Sequence, residues 1–103
     1  MALYFFETLE IEKHFLSGLI NNPNIYFEID GMVSEYDFFN ESHNTIFCIL
    51  RNLILSDEKF DKTILAQKIK NLGIKLQDNL NIFEYIDSLA FLKIKPEMAI
   101  ESA

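Results

Sequence analysis

The chain has 103 residues, half of them apolar and 14% aromatic, with ten Phe, four Tyr and no Trp. That length suits one core, and that hydrophobicity excludes a disordered segment, because enough apolar surface is available to offset the entropy of folding. The net charge of −7, from 16 acidic groups against nine Lys and Arg, argues against tight binding to a phosphate backbone, whose affinity comes from cations that release counterions.

Three Gly and two Pro leave little turn chemistry for many strands, so the expected class is all-α, a compact bundle of about five to six helices. One Cys permits neither an internal disulfide nor a multi-cysteine zinc site and suits a reducing cytoplasm, the expected location. The N-terminal MALYFFETLEIEKHF lacks the basic start of a secretory leader. No apolar run approaches the ~18 residues that a membrane span needs. Acidity is concentrated in residues 1–58, at −8, whereas residues 59–103 carry +1. Any direct nucleic-acid contact would have to use the lysines of 62–75, which read first as a solvated helix face.

The spacing predicts a first helix over Thr8–Asn21, with Leu9, Ile11, Phe15, Leu16, Leu19 and Ile20 in a wide apolar arc and Glu10, His14 and Ser17 pointing away. Pro23 ends it, since the residue before a proline avoids the helical region. A short helical turn over Ile25–Met32 follows, limited by Gly31. Ser34 and Asp37 form a weak capping pair. Asn40 is a good N-cap for a helix over Glu41–Leu55, where Glu41 complements the helix dipole. Asp61 should cap a helix over 62–72 that turns its Leu65, Ile69 and Leu72 inward, and Gly73 stands where a terminating glycine belongs. Asn81 with Glu84 resembles a capping box for a helix over 82–91 that buries Ile82, Phe83, Ile86 and Leu89. Pro96 reads as the first position of one more helix, over about 96–103.

The stretch DFFNESHNTIFCIL, residues 37–50, holds the residues that most resemble a reactive site. His43 falls in the apolar stripe of Ile46, Phe47, Leu50, Leu53 and Ile54. Cys48 lies about 140° around the same helix, so the two side chains diverge and cannot share a metal or form a nucleophilic pair. His14, the other histidine, belongs to the outer face of the first helix. A small metal-dependent hydrolase using His14 and His43 is therefore the weakest functional reading, and His43 reads as a core-edge imidazole bonded to a carbonyl or a carboxylate. Cys48 reads as a surface or interface residue. Glu12 sits in the middle of an apolar arc, where an unpaired carboxylate is costly. It is expected near the helix start, facing free backbone N–H groups or a basic side chain. No phosphate-binding loop is present, and neither catalytic, cofactor nor metal residues are assigned.

Taken in order, IEKHFLSGLINNP, DFFNESHNTIF, FDKTILAQKIKNLG and FEYIDSL make residues 10–92 similar to the N-terminal domain of DnaB-type replicative DNA helicases. The positions carrying the resemblance are Glu12, Leu16, Leu19 and Pro23; Asp37, Phe38 and Phe39; His43, Ile46 and Phe47; Asp61, Leu65, Leu72 and Gly73; and Tyr85, Ile86 and Leu89. Phe39 replaces a usual Tyr, Ser17 a smaller Gly or Ala, and the loop over 73–82 lacks the usual Gly-Gly. The structural signature comprises Glu12, Phe38, His43, Phe47, Asp61 and Gly73.

The resemblance implies one non-catalytic domain over 1–103, the globular head of a helicase, without the helical hairpin that would follow. ATP and Mg would belong to the motor domain of a parent chain that unwinds DNA as a hexamer. The head's partners would be other copies of itself in a dimer or hexamer collar, primase, and a helicase loader. The alternative is a stand-alone helical adaptor or helicase-regulating protein of the same fold. Tyr4, Phe5, Phe6, Tyr26 and Phe27 exceed what the helix faces absorb, so each either fills the core or anchors a partner. The partner-binding candidates are Tyr4, Phe5, Tyr26, Phe27 and Tyr85, the last on the flank of its helix.

Overall fold

The computed structural model describes residues 2–76 and 79–92, and for residues 2–8 the backbone alone. The helix expected from Pro96 and the side chains of Tyr4, Phe5 and Phe6 lie outside the described residues. Helix α1 spans Ala2–Asn21. A 3-10 turn over Pro23–Ile25 runs directly into the one-turn helix α2, Tyr26–Ile29. A second 3-10 turn, Glu35–Asp37, precedes α3 at Glu41–Leu55. Then come α4, Lys62–Asn71, and α5, Ile82–Phe91. There is no strand among the described residues, so the architecture is an all-α bundle of five helices.

The helix starts follow from local chemistry. Asn40, Asp61 and Asn81 each hold an extended backbone and accept a hydrogen bond from the third residue of the helix they open, satisfying one donor that has no carbonyl behind it. Ser34 and Asp37 form a complete capping box: the Ser34 hydroxyl accepts from Tyr36, and Asp37 accepts from the Ser34 N–H at 2.8 Å. That box closes a 3-10 turn and not a full helix. Gly73 adopts φ +73°, ending α4 with its N–H on the Lys70 carbonyl. Helix α1 begins six residues before Thr8, because nothing between Ala2 and Glu7 breaks a helix and Thr8 is tolerated inside one. Helix α2 stops at Ile29, short of the expected Met32, where Asp30 leaves the helical region and Gly31 follows at φ +87°.

The core joins Phe15, Leu16, Leu19 and Ile20 of α1, Ile46, Phe47, Ile49, Leu50, Leu53 and Ile54 of α3, Leu65, Ala66 and Ile69 of α4, and Ile86, Leu89 and Ala90 of α5. Fully burying one such Leu or Phe is worth roughly 1.5–3 kcal/mol. Phe15, Phe38 and Phe47 form an aromatic trio with ring centroids 5.0–6.2 Å apart, and the Arg51 guanidinium lies 5.5 Å above the Phe47 ring.

Four positions depart from the helical-wheel expectation. Ser17 is fully buried, and Ile11 is 48% exposed. Helix α1 packs against both α3 and α5, so its buried arc is wider than, and rotated from, a single face. Asn21 extends the α5 contact, donating from Nδ2 to the Ala90 carbonyl at 2.9 Å and back to the Ser17 carbonyl at 3.0 Å. Leu72 is exposed because α4 ends one residue earlier, and Ala66 takes the inward place. Phe83 lies at the surface beneath the Lys70 ammonium, 5.7 Å from the ring centroid.

Candidate functional site

Three polar side chains from three helices meet inside the bundle. Glu12 of α1 is 4% exposed, His43 in the first turn of α3 is fully buried, and Tyr85 near the start of α5 is half-buried. Glu12 Oε1 lies 2.8 Å from His43 Nδ1, and its Oε2 accepts from the Phe39 N–H at 2.8 Å. The Asn40 N–H adds a longer bond to Oε1 at 3.4 Å. On its far side, His43 Nε2 meets the Tyr85 hydroxyl, with the two rings stacked 15° from parallel and 5.8 Å apart. These partners assign the tautomer. Both Glu12 oxygens already accept from backbone amides, so His43 donates to that side chain from Nδ1, and Nε2 accepts the Tyr85 proton.

Glu12 thus faces backbone N–H groups, as its place in the sequence suggested, but those groups belong to the entry into α3 and not to its own helix start. His43 bonds a carboxylate, as expected, and lies in the core instead of at its edge. The partner that the sequence did not disclose is the Tyr85 hydroxyl. A Tyr next to a core Ile, where a Phe would pack equally well, is the only local sign that its oxygen is used.

Burial pushes the His43 pKa below its ordinary value, outweighing the opposing pull of the Glu12 hydrogen bond and charge. Tyr85 is pushed up to about 12, first by burial and then by the charges of Glu12 and Glu10. A carboxylate, an imidazole and a hydroxyl are also the group types of a hydrolytic triad. Here the imidazole faces no cleft, and the hydroxyl is held as a phenol that resists ionisation. Three surface grooves, lined by residues such as Lys62 and Phe83, Lys70 and Leu80, or Pro23 and Phe91, include none of the three groups. The arrangement ties α1, α3 and α5 together without presenting a reactive atom.

The remaining singled-out residues take structural or surface positions. Phe38 and Phe47 belong to the aromatic trio, Asp61 caps α4 and Gly73 terminates it. Tyr26 is 4% exposed, with its hydroxyl on Asp30 and its pKa raised chiefly by burial. Of its two sequence roles it therefore takes core filling, with no ring left at the surface. Phe27 next to it is 60% exposed. Cys48 points its thiol at Asn44 Oδ1, 3.6 Å away, in a half-buried place where burial raises its pKa and disfavours a nucleophilic thiolate. His14 is half-buried. No group of three or more His, Cys, Asp or Glu side chains among the described residues is placed to hold a metal ion, and no described helix is long and apolar enough to cross a membrane.

The composition of 26–40 alone did not mark that segment as a surface feature, yet it carries exposed Met32, Tyr36 and Phe39 besides Phe27. The available signal was an aromatic-rich connection holding only acidic charges.

A family model described as the DnaB-like helicase N-terminal domain matches residues 6–96. No curated protein and no solved structure matches the chain. The matched span runs from α1 through α5 and contains all three members of the buried chain, and on that match the protein belongs to the DnaB-like helicase N-terminal domain family.

Proposed function

We propose that this domain is the non-catalytic head of a replicative helicase, acting by self-association in a collar and by docking primase and a helicase loader in the cytoplasm. The observation that carries the reading is the family match over residues 6–96. The geometry supports it: the three groups that could have done chemistry are turned inward as a lock between helices. What remains at the surface is suited to contact. ATP and Mg belong, in this reading, to the motor domain of a parent chain, together with DNA unwinding.

Purified residues 1–103 should bind the cognate primase, or associate with themselves, in calorimetry and sedimentation, and should not hydrolyse ATP. ATP hydrolysis by the purified domain, or the absence of both associations, would overturn the proposal.

A further inference from the structure

Residues 26–39 cross from α2 to the start of α3 as a strap laid along α3. Its middle is fastened where the Glu35 carboxylate meets Arg51 at 2.6 Å and the Glu35 carbonyl accepts from Asn44 at 2.5 Å. Its end is fastened where the Phe39 N–H meets Glu12. From the Arg51 level to the start of α3 is ten residues of helix, about 15 Å.

Along this strap the inward residues are Tyr26, Ile29, Val33 and Phe38, all in or against the core. The outward ones are Phe27 at 60% exposure, Met32 at 67%, Tyr36 at 88% and Phe39 at 71%. Phe27, Met32 and Phe39 are each chain neighbours of an inward residue, and Tyr36 follows the anchored Glu35. None can turn in without withdrawing a buried group, so the fold enforces their exposure. Four large apolar side chains presented in this way within 13 residues exceed the scattered singles of an ordinary surface.

The charges beside them select the occupant. Glu28, Asp30 and Asp37 are exposed on the same strap, the strap itself contains no Lys or Arg, and Arg51 is already engaged by Glu35. A phosphate backbone would be repelled. A second copy meeting this face with the same face would set carboxylates against carboxylates.

We propose that the strap is the docking surface for a basic amphipathic polypeptide segment, a helix of three to four turns that seats apolar side chains on Phe27, Met32, Tyr36 and Phe39 and points lysines or arginines at the acidic rim. The inference rests on the docking role proposed above and narrows it to one surface and one partner chemistry.

The test titrates the whole chain with a synthetic 14-residue helical peptide of Leu and Lys in amphipathic spacing, followed by calorimetry and amide chemical shifts. Controls are the same peptide with Glu for Lys and a single-stranded oligonucleotide. The Lys peptide should bind and shift the amides of 27–39. The combined variant Phe27→Ser/Tyr36→Ser, both exposed positions, should weaken binding at least tenfold with unfolding unchanged. In Glu28→Lys, binding should weaken further at low salt than at high salt.

Equal binding by the Phe27→Ser/Tyr36→Ser variant, shifts mapping to another face, or equal binding of the Glu peptide or the oligonucleotide would overturn the proposal. Failure of the broader docking role reads differently, as loss of primase binding and self-association by the unmodified domain.

Discussion

Among the described residues, two contacts carry an acidic side chain of one helix to a nitrogen of another, and they differ in worth. Inside, Glu12 and His43 meet at 2.8 Å with side chains 5% and 0% exposed, and two backbone amides add to the carboxylate. Outside, Lys62 of α4 meets Asp87 of α5 with side chains 51% and 59% exposed. Water competes for the outer pair and salt screens it, so it contributes little. The inner groups have no water to return to, and each needs its partner to remain where it is. An acidic side chain meeting a nitrogen of another helix is common to both contacts; desolvation is what makes one of them decisive.

The largest expected effect comes from removing the inner acceptor. Glu12→Ala leaves the His43 Nδ1–H and the Phe39 amide without their acceptor, and each buried donor left unsatisfied costs about 1–3 kcal/mol. Against total stabilities of roughly 5–15 kcal/mol, urea denaturation should find the variant near the limit of folding. A loss below about 1 kcal/mol would erase the contrast with the surface pair.

Acid should reveal the same site. The unfolded chain takes up a proton on His43 near its ordinary value of 6.5, whereas the folded protein resists until lower pH. Its contribution to stability is therefore full above about pH 6.5 and is lost as pH falls from there through the depressed folded value. His43→Gln should flatten that part of the stability–pH curve. An unchanged curve would mean that the imidazole is not desolvated as described.

Tyr85→Phe keeps the stacked ring and removes only the hydroxyl, so about 1–2 kcal/mol should be lost, mostly from leaving Nε2 unsatisfied. On the alkaline side, the phenol's folded value of about 12 lies above its ordinary 10.0. Its contribution should hold below pH 10 and decline above it, and the Phe variant should lack that decline. Least of all should come from Lys62→Ala, below about 1 kcal/mol in denaturant and smaller still in high salt.

The sequence resolves this molecule unevenly, for physical reasons. The starts of α3, α4 and α5 were legible because Asn40, Asp61 and Asn81 act on amides three residues away. Gly73 was legible because its positive φ is a local requirement. Misread positions occur where tertiary contact decides: Ser17 and Ile11 depend on α1 packing against two helices, and Leu72 on where α4 stops. Of the inner lock, a bonded histidine and an anomalous carboxylate could be seen separately. Their union with each other and with Tyr85 spans 31 and 42 residues of chain, a distance that no helical period encodes. Of the strap's outward residues only Phe27 was legible, as one of an excess of aromatics.

Phe39 belongs to both worlds. Its ring stands in water while its peptide nitrogen is bound to Glu12. Anything that grips that ring from outside is one residue away from the carboxylate whose other oxygen steadies the imidazole, and through it the phenol of α5. A surface handle is thereby one peptide group from the inner latch, and the polar path from that rim to α5 runs through the apolar interior.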